Sequence, residues 1–596
     1  MSSWQVRLPA VIEARYVFLH QQPLLFFVIP RLDGIVARCA QKRGASVWGA
    51  QQGEKGICMT DIVGNETLRD LWGTLRETSV DRPFLTFQNR EGGVFEYTYG
   101  EFDREINRIA NAFLKLGIEK GDRVAAQLHT SPEFLMTLFG LAKIGAVMVP
   151  VNEQYMPDEA AYVINDTQAV CAVVEPLFYE RYARLIEDGI SFPKGLLIAR
   201  AGSDSPDTGH DFSSLYSEVG KKPVTDQPIY NFWRMRCEAS DVLGECCELN
   251  SDDPAQIMYT SGTTSRPKGV VITHANMVFS GLYGDWEVSL RRSDRILSSM
   301  PACHSNFQLA ALMPVITAGA SLIVVEKYSA SRFWSQVRHY RATVIQFVSM
   351  MLRTLMLQPV DPNEKDHQVR EVLYFMTVTD EEKIAFEERY NARIMNTYGS
   401  TESITWVLTD PPVGRRNWPS VGRVGLGYEV RIADEFDNEL PAGETGEIQV
   451  KGVRGRTIML GYFNNEEANE ASFTKDGWFK TGDKGYRDEN GWFFFVDRKS
   501  NMVKRQGENI STTELENILC GHPEIEEAAV IGVPDPIRDQ AIKAFVLLSE
   551  GSNLTVDDVR KYCEENMATF KVPSFYEIVD DFPRTCSDKI MKKLLK

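Results

Sequence analysis

The sequence predicts a layered α/β protein: a large N-terminal domain of α/β subdomains that ends in a small β-rich module, followed by a small α+β C-terminal domain. Three observations predict it. From Tyr99 onward, segments of helical period alternate with short strand-like runs, as in helices packed on sheets. From Val421 the texture changes to short, Gly-rich strands. After Ser500 comes a compact unit of ordinary domain size. The 596 residues amount to roughly three to five domain-sized units.

The elements follow in order. "EFDREINRIANAFLKLG" sets Ile106, Ile109, Ala110, Phe113 and Leu114 at helical spacing, so a helix is expected. "DRVAAQLH" reads as a strand, "EFLMTLFGLAKIGA" as a helix and "VMVPVN" as another strand. "DPAQIMYT", Asp253 to Thr260, is a buried-strand candidate that delivers the loop "TSGTTSRPKG" at its end. A Gly/Ser/Thr loop after a strand is suited to hold phosphate oxygens on backbone N–H groups. "ASLIVVEK", "ATVIQFVS" and "EVLYFM" repeat the strand pattern, and "RIMNTYGSTE" ends a further strand in a loop. In the β-rich module the strands are "VGRVGLGYEVRIADE", "GEIQVKG" and "GWFFFVDRKS". The last unit contributes strands "EAAVIGV" and "IKAFVLL" with helices "TTELENILCGH" and "TVDDVRKYCEENM".

Composition narrows the function. A net charge of −17 argues against nucleic acid or an anionic membrane surface as the main partner, because both reward basic patches. The ten cysteines form no CxxC pair or metal-ligand spacing, which fits a reducing, cytoplasmic setting. Residues 1–58 differ in carrying seven Lys and Arg against three Asp and Glu. Their apolar run, Val17 to Pro30, is too short and too interrupted to span a bilayer or serve as a signal core. This stretch reads as a doubtful extension upstream of a start at Met59, and no membrane span is expected elsewhere.

Polar islands then line up along the chain: "TSGTTSRPKG", "NTYGSTE", "GWFKTGDKGY", "DRKSNMVKRQGENIS" and "PRTCSDKIMKK". Each alone is weak, since a Gly/Thr run is most often a turn and TGD is a common loop tripeptide. The first is not a P-loop, because Lys268 precedes Gly269 instead of following a glycine at the required spacing. It still offers the hydroxyls of Thr260, Ser261, Thr263 and Thr264, close backbone approach at Gly262 and a mobile cation at Lys268.

The ordered set resembles the acyl- and aryl-CoA synthetase, peptide-synthetase adenylation and luciferase superfamily of adenylate-forming enzymes, over Leu68 to Lys596. Stretches such as "FGLAKIGAVMVPVN", "VEKYSASRFW", "RNWPSVGRVG" and "RDQAIKAFV" are similar to its bacterial crotonobetaine/carnitine–CoA ligase subgroup. The resemblance implies ATP, Mg²⁺, a small carboxylic acid and coenzyme A, with an acyl-AMP intermediate. It implies that the first loop grips the β/γ-phosphates. Tyr398 would stack on adenine with Gly399 leaving room, Thr401 would bond the α-phosphate, and Glu402 would ligate Mg²⁺. Asp483 would hold the ribose hydroxyls and Arg498 the ribose and a nearby phosphate. Lys589 would be the cation of the adenylation transition state, and His304 would line the route to acid and thiol. It also implies a large domain over 59–497, a hinge at 498–500 and a mobile small domain over 501–596.

Two positions depart from the family. Asp588 replaces a Gly before the lysine; it enters left-handed backbone less readily and sets a negative charge beside the cation. Cys303 replaces an aromatic before the histidine. The acid implied is carnitine, crotonobetaine or γ-butyrobetaine; the alternatives are a CoA ligase for another acid, or a weakly active or non-catalytic nucleotide-binding protein. A trimethylammonium head cannot donate hydrogen bonds, so aromatic faces should meet it. Phe307 and Trp406 are the substrate candidates, with Phe347, Tyr374 and Phe375 nearby and Asp380 as counter-charge.

Overall fold

A computed structural model describes residues 61–200, 212–217, 219–220, 227–260, 267–375, 380–498, 502–506, 508–549, 551–583, 590 and 592–596. The expectation for residues 1–58 therefore lies outside the described residues. The chain divides into two units, Met1–Gly64 and Asn65–Lys596. Of the first, Asp61–Gly64 is described, a turn in which the Asp61 carboxylate accepts from the Val63 and Gly64 N–H groups. The rest concerns the second.

Three sheets build its large domain. The nine-stranded sheet carries a parallel centre, Ile394–Gly399, Glu371–Phe375, Val344–Val348, Arg295–Ser298, Ser321–Val325 and Pro83–Gln88, with antiparallel strands at both edges. The eight-stranded sheet runs parallel from Ile229–Asn231 to Pro254–Thr260 and closes with the antiparallel strands Lys268–Thr273 and Gly461–Tyr462. A four-stranded antiparallel sheet, Glu429–Ala433, Gly446–Lys451, Phe479–Arg487 and Phe493–Arg498, is the β-rich module.

The expected helices form. Tyr99–Lys115 starts on a capping box, Thr98 with Glu101, and buries Ile106, Ile109, Ala110 and Phe113. Pro132–Ile144 is buried all round, as its nearly continuous apolar sequence requires. Two polar islands are more ordered than loops. "GWFKTGDKGY" lies largely in the strand Phe479–Arg487, and "DRKSNMVKRQGENIS" includes the hairpin Met502–Arg505 with Glu508–Ser511.

The small domain is a five-stranded sheet with helices Thr512–Cys520 and Val556–Asn566. Because strand side chains alternate, its two faces differ. Ala528, Val530, Ala544 and Val546 join a core with Leu515, Leu519, Val559 and Cys563. Ala529 and Phe545 point the other way, where Phe582, Ile590 and Leu595 cover them. No described helix is long and apolar enough to cross a membrane.

Candidate active site

The carboxyl ends of parallel strands from two sheets converge on one cavity of about 560 Å³, where open α/β sheets bind ligands. Pro254–Thr260 delivers Thr260, Ile394–Gly399 delivers Tyr398, and the segment after Arg295–Ser298 delivers Cys303 to Asn306.

At one end, three groups gather around Glu402. Its Oε1 accepts from Thr260 Oγ1 at 3.4 Å and from the Tyr462 hydroxyl at 3.1 Å. Lys268 pairs with Thr260 across the hairpin, and its Nζ lies 4.9 Å from the Tyr462 ring centre. Burial pushes the Lys268 ammonium below its ordinary pKa, with Glu402 pulling it back up. Ser261, Gly262, Thr263 and Thr264 lie outside the described residues. Among the described residues no group of three His, Cys, Asp or Glu could hold a metal. Glu402 with a neighbouring hydroxyl is instead a hard-oxygen set suited to Mg²⁺, which is commonly held by one or two carboxylates plus phosphate oxygens.

Alongside, Tyr398 donates its hydroxyl to Asp483 Oδ2 at 2.7 Å. Asp483 stands beside Gly482, whose φ of +74° is a left-handed conformation that favours glycine. The Gly482 N–H donates to Glu447. Gly399 is required by the path of the chain itself. A Cβ there would come within 2.3 Å of the Thr405 carbonyl oxygen, so the glycine lets the chain fold back on itself and bring Thr405 and Trp406 to the cavity. Arg498 continues the strand opposite Asp483 in backbone register; its side chain lies outside the description.

Towards the other end, Thr401 Oγ1 and Ser305 Oγ share a hydrogen bond at 3.1 Å, tying the "GSTE" turn to the histidine segment. That segment is fixed by Gln346, which donates to the Asn306 carbonyl at 2.6 Å. His304 Nε2 faces Glu508 Oε2 of the small domain at 3.6 Å. Burial alone would lower the imidazole pKa, but the Glu508 charge outweighs it, so His304 ends above the ordinary histidine value and Glu508 below the ordinary carboxylate value. Cys303 lines the cavity next to it, its thiol pushed up by burial.

The aromatic candidates separate. Trp406 and Phe375 line the cavity, their rings 6.0 Å apart, with Leu309, Ala310 and Ile404 nearby in the wall. Among the described residues, Trp406 Nε1 and Thr405 Oγ1 have no hydrogen-bond partner. Phe307, Phe347 and Tyr374 are fully buried and none lines the cavity, so the expectation that Phe307 meets the substrate is corrected: it is core. Asp380 is likewise absent from the wall and accepts a hydrogen bond from Trp418 Nε1.

Lys589 lies outside the described residues. Its neighbour Ile590 packs on the Phe545 and Phe582 face of the small sheet and does not line the cavity. The small domain instead presents Lys504, Glu508, Phe570 and Lys571 to it. These residues, and Tyr462, escaped the sequence reading. Lys504 and Glu508 sat inside a quoted motif, but Tyr462 and Lys571 carried no local signal.

Known proteins similar to this chain match it along most of its length. A model of the AMP-binding enzyme family matches residues 73–463, and one of the AMP-binding enzyme C-terminal domain matches 514–589. Crotonobetaine/carnitine–CoA ligase of Salmonella paratyphi A is 45% identical over 536 residues, 90% of this chain and 100% of that protein. Among solved structures, o-succinylbenzoate CoA synthetase of Bacillus subtilis, bound with a product analogue, superposes with a TM-score of 0.75 at 24% identity, over 89% of this chain and 98% of that one. ATP-bound MatB from Rhodopseudomonas palustris does so with a TM-score of 0.62 at 25% identity, over the same shares.

Proposed function

The chain belongs to the AMP-binding enzyme family, which uses ATP to form adenylates, and from that premise we propose that it is an acid–CoA ligase whose acid is carnitine, crotonobetaine or γ-butyrobetaine. The observation that carries the reading is the single cavity in which Thr260, Lys268, Glu402, Tyr398, Asp483 and His304 meet. The betaine acid rests on the relative named for it at 45% identity and on the Trp406 and Phe375 rings in the wall.

In the proposed reaction a carboxylate oxygen attacks the α-phosphorus of ATP, and the bond to pyrophosphate breaks. Thr260, Lys268 and the adjoining loop hold the departing phosphates, and Thr401 bonds the α-phosphate. Lys589 stabilises the charge that develops there, a task for a preorganised cation. Tyr398 and Asp483 hold the adenosine, with Asp483 fixed by the Tyr398 hydroxyl. Glu402 would hold Mg²⁺, which supplies charge neutralisation for the phosphates when bound. The coenzyme A sulfur then attacks the acyl carbon, the bond to AMP breaks, and the thiol proton leaves to solvent. His304 lies on that route.

The two steps need different faces of the small domain. Lys589 is required for the first, yet its described neighbour Ile590 sits on the sheet face away from the cavity. This favours a hinge at Arg498, Lys499 and Ser500, about which residues 501–596 turn between steps against the large domain 59–497. We place the activity in the cytoplasm on the free state of the described cysteines. Pyrophosphate release with ATP and Mg²⁺ tests the function, read across the three betaine acids and simple short-chain acids. Release that depends on a betaine acid is expected; preference for a neutral short-chain acid would remove the betaine reading alone. No release with any acid would leave a nucleotide-binding protein.

A further inference from the structure

Ion pairs join the small domain to the large one at three described places. His304 faces Glu508 at 3.6 Å, Arg353 Nη1 meets Asp539 Oδ1 at 2.9 Å, and Lys571 Nζ bonds Glu159. The third differs from the others in burial. Lys571 is 1% exposed, Glu159 10% and Glu514 9%. Lys571 also bonds Glu514 Oε1 at 2.7 Å within its own domain, and its ammonium lies 5.2 Å from the Tyr155 ring centre and 5.6 Å from that of Phe570.

The arrangement has a direction. Lys571 and Glu514 both belong to the small domain and form a neutral pair there. Glu159 belongs to the large domain, in the first turn of the helix Pro157–Thr167, where a carboxylate is favoured by the unpaired N–H groups. Docking brings a second carboxylate onto the same ammonium. The contact holds only while Lys571 stands between Glu159 and Glu514; without it, docking presses two buried carboxylates together. Lys571, Tyr155 and Phe570 also line the cavity, so this contact closes its wall beside His304 and Glu508.

We propose that Lys571, gripped by Glu159, is a positioning residue for thioester formation: it latches the small domain where Lys504 and Glu508 of the hairpin strands Met502–Arg505 and Glu508–Ser511 line the cavity. This rests on the acid–CoA ligase reading. Arg353 with Asp539 and His304 with Glu508 steady the same docked position at two further points.

Glu159→Gln removes the charge across the interface and leaves the Lys571–Glu514 pair intact. Glu514→Gln removes the internal partner and keeps the contact across the interface. Each half-reaction is measured separately: acid-dependent pyrophosphate release, and thioester formation from supplied acyl-adenylate and coenzyme A. Glu159→Gln should slow the second about tenfold, the scale of a lost charged hydrogen bond, and change the first less than about twofold. Glu514→Gln should slow thioester formation less, and Lys571→Arg should retain most of it. Equal loss in both half-reactions, or a loss in Glu514→Gln as large as in Glu159→Gln, would overturn the latch and leave a structural ion cluster. Hydrogen exchange of the Met502–Ser511 hairpin without substrates gives a second readout, expected to quicken in Glu159→Gln and not in Glu514→Gln. Unchanged exchange in Glu159→Gln would also overturn it. If the wild-type protein released no pyrophosphate with any acid, the ligase reading would fail, while the exchange comparison would still decide the latch.

Discussion

The two ends of the cavity are built differently. Around Glu402 and Asp483 the partners Thr260, Tyr462, Lys268 and Tyr398 belong to the large domain and come from strands that pair within its sheets. Around His304 and Tyr155 the wall is completed by a second domain through Glu508, Phe570 and Lys571. This second end depends on charged contacts between the two domains, which cost more to desolvate than apolar ones. Under the proposed reaction such a division would let the nucleotide stay held while the other wall is exchanged.

The largest expected effect would break the comparison outright. Lys589→Ala should slow acyl-adenylate formation roughly a hundredfold to a thousandfold, the range for a lost preorganised charge contact, and leave thioester formation from supplied acyl-adenylate largely intact. An unimpaired first step would mean that the described docking already serves both. Next, Glu402→Gln should slow adenylation about a hundredfold and raise the Mg²⁺ concentration needed for half-maximal rate. An unchanged Mg²⁺ titration would move the metal away from this residue.

Ser500→Pro tests the hinge. Proline fixes φ at Ser500 and restricts Lys499 before it, so thioester formation should lose more than adenylation. Equal losses would argue for a static interface. Trp406→Leu sharpens the apolar side of the wall. One cation–π contact contributes about 0.5–2 kcal/mol, so KM for a betaine acid should rise severalfold and KM for ATP stay nearly constant. Parallel rises in both would return Trp406 to the core.

The smallest effect is on pH. His304 has its pKa raised by Glu508, so its charged pairing is present below the ordinary histidine pKa and is lost as pH rises through the raised one. Glu508 has its pKa lowered, so its share is present above the ordinary carboxylate range and is lost as pH falls through the lowered value. Docking should therefore weaken above the histidine range, and thioester formation should decline there more than adenylation. In His304→Ala that difference should flatten; a decline that survives the substitution would assign it to another group.

The sequence by itself determined the layered α/β class, the family and most of the residues that gather around Glu402 and Asp483. Those features are local. Alternating periods mark strands and helices, a Thr-x-x-Glu cap starts Tyr99–Lys115, and Thr260 and Tyr398 sit at strand ends, so the carboxyl edges of two sheets bring them to the cavity. What only the tertiary structure decided depends on which side of an element faces inward and on partners far apart in the chain. Phe307 and Trp406 are both aromatics beside motifs, yet the chain reversal allowed by Gly399 turns Trp406 into the wall, while Phe307 is packed into the core. Tyr462 reaches Glu402 because its short strand pairs with Lys268–Thr273. Lys571 meets Glu159 across 412 positions of sequence, and no pattern within either segment encodes that contact; the docking of two separately folded surfaces makes it.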